Sequence, residues 1–309
     1  MQLIRGIHNI QSTDNGCVLT IGNFDGVHLG HKRVLKDLVE KAKTLNTVAA
    51  VMVFEPQPQE MFAKESSPAR LTRLRDKYSL LKKLGIQRLI CVNFDKEFAA
   101  QSAEGFIQNL LVERLGIKHL IIGDDFRFGK NRTGDFQMLN AYGLQHRFSV
   151  TDTASYKVSD CRISSTEIRN ALEKDELAQA EAMLGRPYAI SGRVIHGDKN
   201  GRKFGFPTAN VLLKRLVSPV AGVYAVKITI GEEQHYGVAN IGCRPTLNGI
   251  RQQLEVHIFD FNQNLYGKQI EVTMLTKIRA EKRFESIEAL IAQINLDSEQ
   301  AQLFTNNLQ

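Results

Sequence analysis

The sequence predicts a chain of two parts: an α/β part built on a parallel sheet, then a β part that forms a small antiparallel six-stranded barrel with terminal helices. In the first half, short apolar runs alternate with segments of helical periodicity, which is typical of a parallel sheet covered by helices on both faces. Beyond residue 185 the runs are β-branched or alternating, and Gly, Asn and Pro separate them, which favours a barrel. The 309 residues suffice for two domains of ordinary size.

The predicted elements of the α/β part alternate between strand and helix. Its strands are Val18–Ile21, Thr47–Phe54, Arg88–Phe94 and His119–Ile122, and its helices are Lys32–Leu45, Arg73–Leu84 and Phe106–Leu115. A last helical segment, Ile163–Leu184, starts with Ser164 followed three residues later by Glu167, the pattern of a capping box. Because Gly185 and Pro187 stop this helix, we predict two domains, 1–185 and 186–309.

The barrel part contains six predicted strands and a terminal helical region. The strands are Ala189–Ile195, Thr208–Leu213, Val223–Ile230, His235–Ile241, Leu254–Phe261 and Gln269–Thr276. A helix is predicted at Ser286–Ile294, and Asp297 with Gln300 offers a second helix start.

The net charge and the length of the apolar runs indicate which kinds of partner and which location the protein can have. Forty Lys and Arg against 33 Asp and Glu give a net charge of +7, which favours anions such as nucleotides or nucleic acid. The chain has no Trp and no block of like charges, which argues against a nucleic-acid surface. Its longest apolar run, Val48–Phe54, is far shorter than the roughly 20 residues that cross a bilayer, and no secretory signal is recognisable. We therefore expect a cytoplasmic protein.

The segment Thr20–His31 lies where the first predicted strand ends and the first helix begins. Its three glycines allow a tight turn and a close approach to a ligand. His28 and His31 are three residues apart at the N-terminus of the helix, so both imidazoles can face one way, where free N–H groups attract phosphate. The alternative is an ordinary glycine-rich turn with two solvent-exposed histidines.

The run Gly22-Asn-Phe-Asp-Gly-Val-His-Leu-Gly-His31 resembles the signature of the HxGH nucleotidylyltransferases. Together with Gly123-Asp-Asp-Phe-Arg-Phe-Gly129 and Ile163-Ser-Ser-Thr-Glu-Ile-Arg169, it closely resembles the prokaryotic bifunctional riboflavin kinase/FMN adenylyltransferases, or FAD synthetases. The resemblance implies a Rossmann-like first domain. The ATP-binding residues that it implies are Gly22, Asn23, Phe24, Asp25, Gly26, His28, Gly30, His31, Ser165, Thr166 and Arg169.

Within this set, the resemblance implies distinct roles. His28 and His31 hold the ATP phosphates, while Arg169, beside Ser165 and Thr166, grips the triphosphate from a second helix start; the two histidines and the arginine are the implied catalytic groups. A guanidinium there can clamp phosphate with two hydrogen bonds. The candidate flavin contacts Asp125, Phe126 and Phe128 follow a predicted strand, where ligands collect in open α/β sheets. Ordinary loop packing is an equal alternative for the two phenylalanines.

A second group of candidate residues lies in the barrel part. The glycine-rich, basic run that begins at Gly201 leads into a predicted strand, as a polyphosphate-binding loop would. Thr208 and Asn210 alternate onto one face of that strand and offer a hydroxyl and an amide oxygen to Mg²⁺. Glu255 and His257 point the same way from another strand. A lone Glu on a strand is usually solvent-facing, so the residues alone do not make it catalytic.

Pro207-Thr-Ala-Asn210, the run Gly237–Thr246 and the run Glu255–Lys268 resemble the riboflavin kinase module of the same family. The resemblance implies the following residues: Thr208 and Asn210 for Mg²⁺ and ATP, Glu255 as the catalytic base for the ribityl 5′-hydroxyl, and Arg279 and Phe284 for the flavin. No role is implied for His257.

The implied activity is flavin cofactor synthesis, with riboflavin, FMN and ATP as substrates, Mg²⁺ as the metal bound with ATP, and neither nucleic acid nor membrane as partner. We expect a monomer or a weak homo-oligomer. Two alternatives remain at this stage. One is a single-activity nucleotidylyltransferase whose β domain only binds a ligand, and the other is a nucleic-acid-binding protein that uses the positive charge and the small barrel.

Overall fold

The structure is a computed structural model, and it describes residues 1–63, 67–123, 125–153, 163–197, 205–213, 217–246 and 249–308. The chain forms two compact units. The first unit comprises Met1–Pro68 and Thr72–Ser164, and the second unit comprises Ala69–Leu71 and Ser165–Gln309. The helical segment before residue 185 therefore packs with the second unit, while the functional boundary at residue 185 stays a prediction.

The first unit is built on one six-stranded sheet. Its strands are β1 (Gln2–Arg5), β2 (Cys17–Ile21), β3 (Val48–Glu55), β4 (Arg88–Asn93), β5 (His119–Ile122) and β6 (Ser149–Asp152). Its helices are α1 (Leu29–Thr44), α2 (Pro58–Phe62), α3 (Leu74–Lys83), α4 (Lys96–Ala99), α5 (Ala103–Gly105, continuing as a π-helix over Phe106–Arg114) and α6 (Phe136–His146). The strand order is β1-β4-β3-β2-β5-β6, and every pairing is parallel.

The central strand β2 is buried over its whole length because helices cover both faces of the sheet. Its successive side chains enter opposite cores: Leu19 lies in one core with Phe106 and Leu110, and Val18 lies in the other with Leu35. In the sheet, β2 lies between β3 and β5. The next strand along the chain, β3, is added on one side of β2, and the later strand β5 is added on the other. The carboxyl ends of β2 and β5 therefore form the topological switch point, where open α/β sheets bind their ligands.

The second unit contains a closed barrel and, among its described residues, three helices. Its strands are β7 (Ala189–Ile195), β8 (Thr208–Val211), β9 (Gly222–Ile230), β10 (Glu233–Thr246), β11 (Gly249–Ile258) and β12 (Gln269–Arg279). Its helices are α7 (Ser165–Glu173), α8 (Leu177–Leu184) and α9 (Ile287–Asn306). The barrel closes in the order β10-β11-β8-β7-β12-β9, and all six pairings are antiparallel.

The predicted fold class, the four predicted strands of the sheet and the six strands of the barrel are confirmed, with shifted ends. Two helix predictions are wrong. The segment Ile163–Leu184 forms two helices, because Asp175 adopts a left-handed conformation between them (φ 63°). Asp297 does not start a second helix: α9 runs through it, and its carboxylate accepts hydrogen bonds from Arg279 instead of capping. The strands β1 and β6 escape prediction because they are short and mostly exposed or half-buried.

The turn between α7 and α8 is fixed to the barrel by Asp175. Its two carboxylate oxygens accept hydrogen bonds from the Tyr224 hydroxyl (2.8 Å) and the Lys277 ammonium (2.7 Å). Burial, with the hydrogen bond to Asp175 as the next cause, raises the pKa of Tyr224, so the hydroxyl stays a donor. Ile168 and Leu172 of α7 lie in the same apolar core as the barrel side chains. These contacts explain why the helix pair packs with the second unit.

His119 is a buried side chain of β5. Its Nδ1 lies 2.6 Å from Ser149 Oγ, and its Nε2 lies 3.2 Å from Thr151 Oγ1. Burial, reinforced by the positive charge of Lys41, lowers the pKa of His119 from 6.5 to about 4. The imidazole is therefore uncharged in the folded protein at neutral pH.

We expect His119 to make the protein less stable in mild acid. Between pH 6.5 and about 4 the unfolded chain binds a proton that the folded chain does not, so the free energy of unfolding falls as the pH falls. From pH 7 to pH 5 the loss from this residue is about 2 kcal/mol. Urea unfolding at both pH values checks this, since His119→Gln should lose less stability than the wild type. Equal losses in the two proteins would contradict the assignment.

Candidate active sites

The loop between β2 and α1 is held in a fixed conformation. Three of its residues have positive φ angles: Phe24 (46°), Gly26 (83°) and Val27 (43°). The buried Asp25 carboxylate accepts hydrogen bonds from the backbone N–H (2.9 Å) and the hydroxyl (3.2 Å) of Thr72, and the Gly26 N–H donates to Thr72 Oγ1 at 2.9 Å. The predicted glycine-rich turn is thus anchored from the segment that precedes α3, a contact that the sequence does not reveal.

His28 and His31 lie together at the N-terminus of α1. His28 is the N-cap residue, and its Nδ1 accepts the His31 N–H at 3.3 Å, so in the neutral ring Nε2 carries the proton. The two rings stack with centroids 3.6 Å apart. A Cβ at Gly30 would lie 3.2 Å from His28 Nδ1, so a side chain at this position would press on the His28 ring. The structure therefore brings the two predicted imidazoles together on one side of the helix start.

The charge state of His31 follows from its surroundings. Burial lowers the pKa of His31 well below 6.5, and the neighbouring His28 and the buried Lys77 lower it further. The ring is therefore neutral at pH 7 and carries one N–H that can donate a hydrogen bond. Within the described ranges, the buried atoms His31 Nδ1 and Gln57 Nε2 have no hydrogen-bond partner. Because a buried polar atom costs free energy when it is left unpaired, the His31 Nδ1 fits a site that a polar ligand completes.

A row of aromatic side chains begins in the loop that follows β5, the second loop at the switch point. Phe126 is half-buried and stacks on the buried Phe128, with centroids 5.6 Å apart, while Asp125 is exposed. The ring contacts continue from Phe128 through Phe106, Phe98, Phe54 and Phe94 to Phe62. Phe62 is 69% exposed, so one end of the row is open to solvent. Sequence reasoning missed this row, because its members come from five separate segments.

Ser165, Thr166 and Arg169 lie in the first two turns of α7, in the second unit. Ser165 is half-buried and Thr166 is exposed. The Arg169 Nε donates to the Ala69 carbonyl oxygen at 2.6 Å, which fixes the side chain. The helix begins directly after the predicted N-cap Ser164. The role of these residues on ATP phosphates stays a prediction.

The barrel brings Asn210 and Glu255 together. The two residues are direct partners in the antiparallel pairing of β8 with β11, and Thr208 is the partner of His257 two residues along. Side chains in such positions lie on the same face, about 5 Å apart at Cβ. The Gln253 amide nitrogen donates to Asn210 Oδ1 and to Glu255 Oε1, the latter at 3.0 Å. The His257 Nδ1 lies 3.0 Å from the Pro207 carbonyl oxygen, which accounts for this histidine structurally.

Arg279 lies at the end of β12 and is bound by α9. Its Nε and Nη2 donate to the two oxygens of the buried Asp297 at 2.9 and 2.8 Å. Its guanidinium also lies over the Phe284 ring, 5.6 Å from the centroid. The structure thus brings the two predicted flavin contacts of the barrel together, with the charge of Arg279 balanced by Asp297. Their contact with flavin stays a prediction.

The fold and the two groups of side chains define a class: a two-unit protein with an α/β nucleotide-binding architecture and a separate polar site on a small barrel. Residues 10–167 match the family model described as FAD synthetase, and residues 184–305 match the model described as riboflavin kinase. The chain is 54% identical over 306 residues to the bifunctional riboflavin kinase/FMN adenylyltransferase of Escherichia coli K12, covering 98% of both chains. It belongs to the family of bifunctional riboflavin kinase/FMN adenylyltransferases.

Two further proteins also match this chain over nearly its whole length. The bifunctional riboflavin kinase/FMN adenylyltransferase of Haemophilus influenzae is 52% identical over 308 residues, covering 99% of this chain and all of that one. A crystal structure described as a macrolide-efflux protein of Streptococcus pneumoniae is 28% identical with a TM-score of 0.79, over 98% of this chain and 99% of that one. No helix in the described part of the present chain is long and apolar enough to cross a membrane.

Proposed function

We infer that the chain phosphorylates riboflavin to FMN and then adenylylates FMN to FAD with release of pyrophosphate. The observation that carries this inference is that each unit matches one of the two enzyme families and contains its own group of polar side chains: His28 with His31, and Asn210 with Glu255. We assign the adenylyltransferase to residues 1–185 and the kinase to residues 186–309.

In the kinase reaction, Glu255 takes the proton from the ribityl 5′-hydroxyl of riboflavin. The hydroxyl oxygen forms a bond to the γ-phosphorus of ATP as the bond from that phosphorus to the β–γ bridging oxygen breaks, and ADP leaves. A carboxylate suits this role because it can accept the proton as the bond forms. The rest of the catalysis is positioning and charge neutralisation.

The residues of the barrel site fit Mg²⁺. Thr208 and Asn210 offer oxygen atoms, the donors that Mg²⁺ prefers, and an amide oxygen that accepts one hydrogen bond keeps a second lone pair. These two residues would hold the ion together with the ATP phosphates. When bound, Mg²⁺ neutralises charge on the phosphates. Which metal the protein uses stays a prediction.

In the adenylyl reaction, a phosphate oxygen of FMN attacks the α-phosphorus of ATP. The bond from that phosphorus to the α–β bridging oxygen breaks, and pyrophosphate leaves. His28, which keeps its Nε2 proton, and the N-terminal N–H groups of α1 are suited to bind the phosphates. By resemblance, we also assign Ser165, Thr166 and Arg169 to ATP binding.

The aromatic row that begins at Phe126 is suited to the isoalloxazine ring of FMN. Flat aromatic ligands stack on aromatic side chains, and this row follows β5 at the switch point, where ligands of such sheets bind. Asp125 is exposed at the start of the same loop, and we assign it to the same flavin site. In the kinase unit we assign the flavin to the neighbourhood of Arg279 and Phe284.

Incubation of the purified protein with riboflavin and Mg-ATP, followed by chromatography, tests the proposed function. FMN should appear first and FAD later. A single-activity nucleotidylyltransferase would form FAD only from supplied FMN. A nucleic-acid-binding protein would instead shift DNA or RNA in a gel at low salt, with an affinity that falls steeply as salt rises. The cytoplasmic location and the monomeric or weakly oligomeric state stay predictions.

A further inference from the structure

Gln253 lies on β11 two residues before Glu255, so the two side chains share one face of the barrel wall. Its Nε2 donates to Asn210 Oδ1 on the neighbouring strand and to Glu255 Oε1 at 3.0 Å. An amide nitrogen carries two hydrogens, one for each of these acceptors. The side chain therefore connects the proposed metal ligand to the proposed base across two strands.

The contact fixes which way the Asn210 amide faces. With Oδ1 accepting from Gln253, the amide nitrogen has to lie at the other end, and the backbone of Gly197 closes over the group: a Cβ at Gly197 would clash with the Asn210 side-chain amide. Asn210 is itself buried (7% exposed). It is thus held by Gln253 at its oxygen and covered by Gly197, while its oxygen keeps a second lone pair for a metal ion.

The same amide fixes the rotation of the Glu255 carboxylate. A base works only when its oxygen lies within hydrogen-bond distance of the proton it accepts, and small displacements of a reacting group reduce the rate strongly. Glu255 and Asn210 stand on different strands, so the backbone alone sets their Cα positions but not the direction of their side-chain oxygens. A donor placed between the two acceptors supplies that direction.

We propose that Gln253 is a positioning residue of the kinase site, which orients the Asn210 oxygen for Mg²⁺ and the Glu255 carboxylate for proton transfer. The proposal rests on the proposed kinase function. The sequence gives no signal for this role, because Gln253 stands outside the runs that carry the family resemblance. The alternative is that Gln253 only fills space in the barrel wall.

Two variants separate these roles. Gln253→Ala removes the donor, and Gln253→Glu keeps the size of the side chain but replaces the donor by a third acceptor. We expect both variants to lower kcat for riboflavin phosphorylation by about 10-fold to 100-fold. The kcat of Gln253→Glu should be no higher than that of Gln253→Ala. Gln252→Ala is the matched control, because the neighbouring Gln252 accepts a hydrogen bond from the Ser218 N–H instead. It should keep the wild-type rate.

A binding measurement provides a readout that does not depend on turnover. Calorimetry of ADP binding with and without Mg²⁺ gives the factor by which the metal strengthens binding, and both Gln253 variants should reduce that factor several-fold. FAD formation from supplied FMN should stay within two-fold of the wild type. A space-filling role predicts that Gln253→Glu retains more activity than Gln253→Ala. It also predicts that the factor by which Mg²⁺ strengthens ADP binding (the metal factor) is unchanged.

The outcomes separate an error in the proposed kinase function from an error in the proposed role of Gln253. If the wild-type protein forms no FMN from riboflavin and Mg-ATP, the kinase function itself is wrong. If the wild type forms FMN and Gln253→Ala matches it in kcat and in the metal factor, only the role of Gln253 is wrong. Loss of kcat in a Gln253→Ala protein with an unchanged metal factor and a lowered Tm would likewise overturn the positioning role.

Discussion

Replacing Glu255 with Gln is expected to lower the rate of FMN formation from riboflavin by about 10²–10⁴-fold, the usual effect of losing a positioned base. The substitution keeps the size of the side chain and an oxygen that can still accept the Gln253 amide hydrogen bond, so the barrel wall should remain intact. What it removes is the group that accepts the proton of the 5′-hydroxyl. ADP release with riboflavin and Mg-ATP as substrates measures the effect.

The second activity of the same chain is the internal reference for this variant. FAD formation from supplied FMN should continue at the wild-type rate, because Glu255 belongs to the second unit and the paired histidines to the first. Glu271→Gln is the matched control: Glu271 is an exposed glutamate on another strand of the same barrel and should leave both rates unchanged. Loss of both activities in a folded Glu255→Gln protein would contradict the two-site assignment.

The features that the sequence predicts best are those that depend only on residues close together in the chain. The glycines and histidines between β2 and α1 are consecutive in the chain, so their spacing alone predicts a turn, a helix start and two imidazoles on one side. The pattern of apolar runs likewise predicts the four inner strands of the sheet and the six strands of the barrel, because burial on one or both faces leaves a periodicity in the residues themselves. The structure confirms these features, with α1 beginning at Leu29 rather than Lys32 because His28 is the cap.

Contacts between distant segments could not be predicted in this way. Asn210 faces Glu255 only because β8 pairs with β11 in one register, and no local pattern encodes a register. Thr72 anchors the Asp25 loop across 47 positions of sequence, and Asp297 looked like a helix cap until Arg279 accounted for its carboxylate. Gln253 escaped notice for the same reason, since its role depends on a neighbour from another strand.

Replacing His28 with Ala is expected to lower FAD formation by about 10²–10³-fold, the usual effect of losing one donor that stabilises developing charge. FMN should then accumulate from riboflavin, because the kinase step does not use this residue. The ring has a second task, however: its Nδ1 accepts the His31 N–H and caps α1. Loss of a cap typically costs about 1 kcal/mol of stability, so a simple truncation mixes two effects.

His28→Asn separates the cap from the catalysis. Asn is a good N-cap residue and can accept the same N–H, but it offers no imidazole to the phosphates. We therefore expect His28→Asn to unfold at a higher urea concentration than His28→Ala, yet to form FAD as slowly. If the asparagine variant instead recovered most of the wild-type rate of FAD formation, the imidazole would be a structural group of the helix start and the stacked pair with His31 would not bind the ATP phosphates.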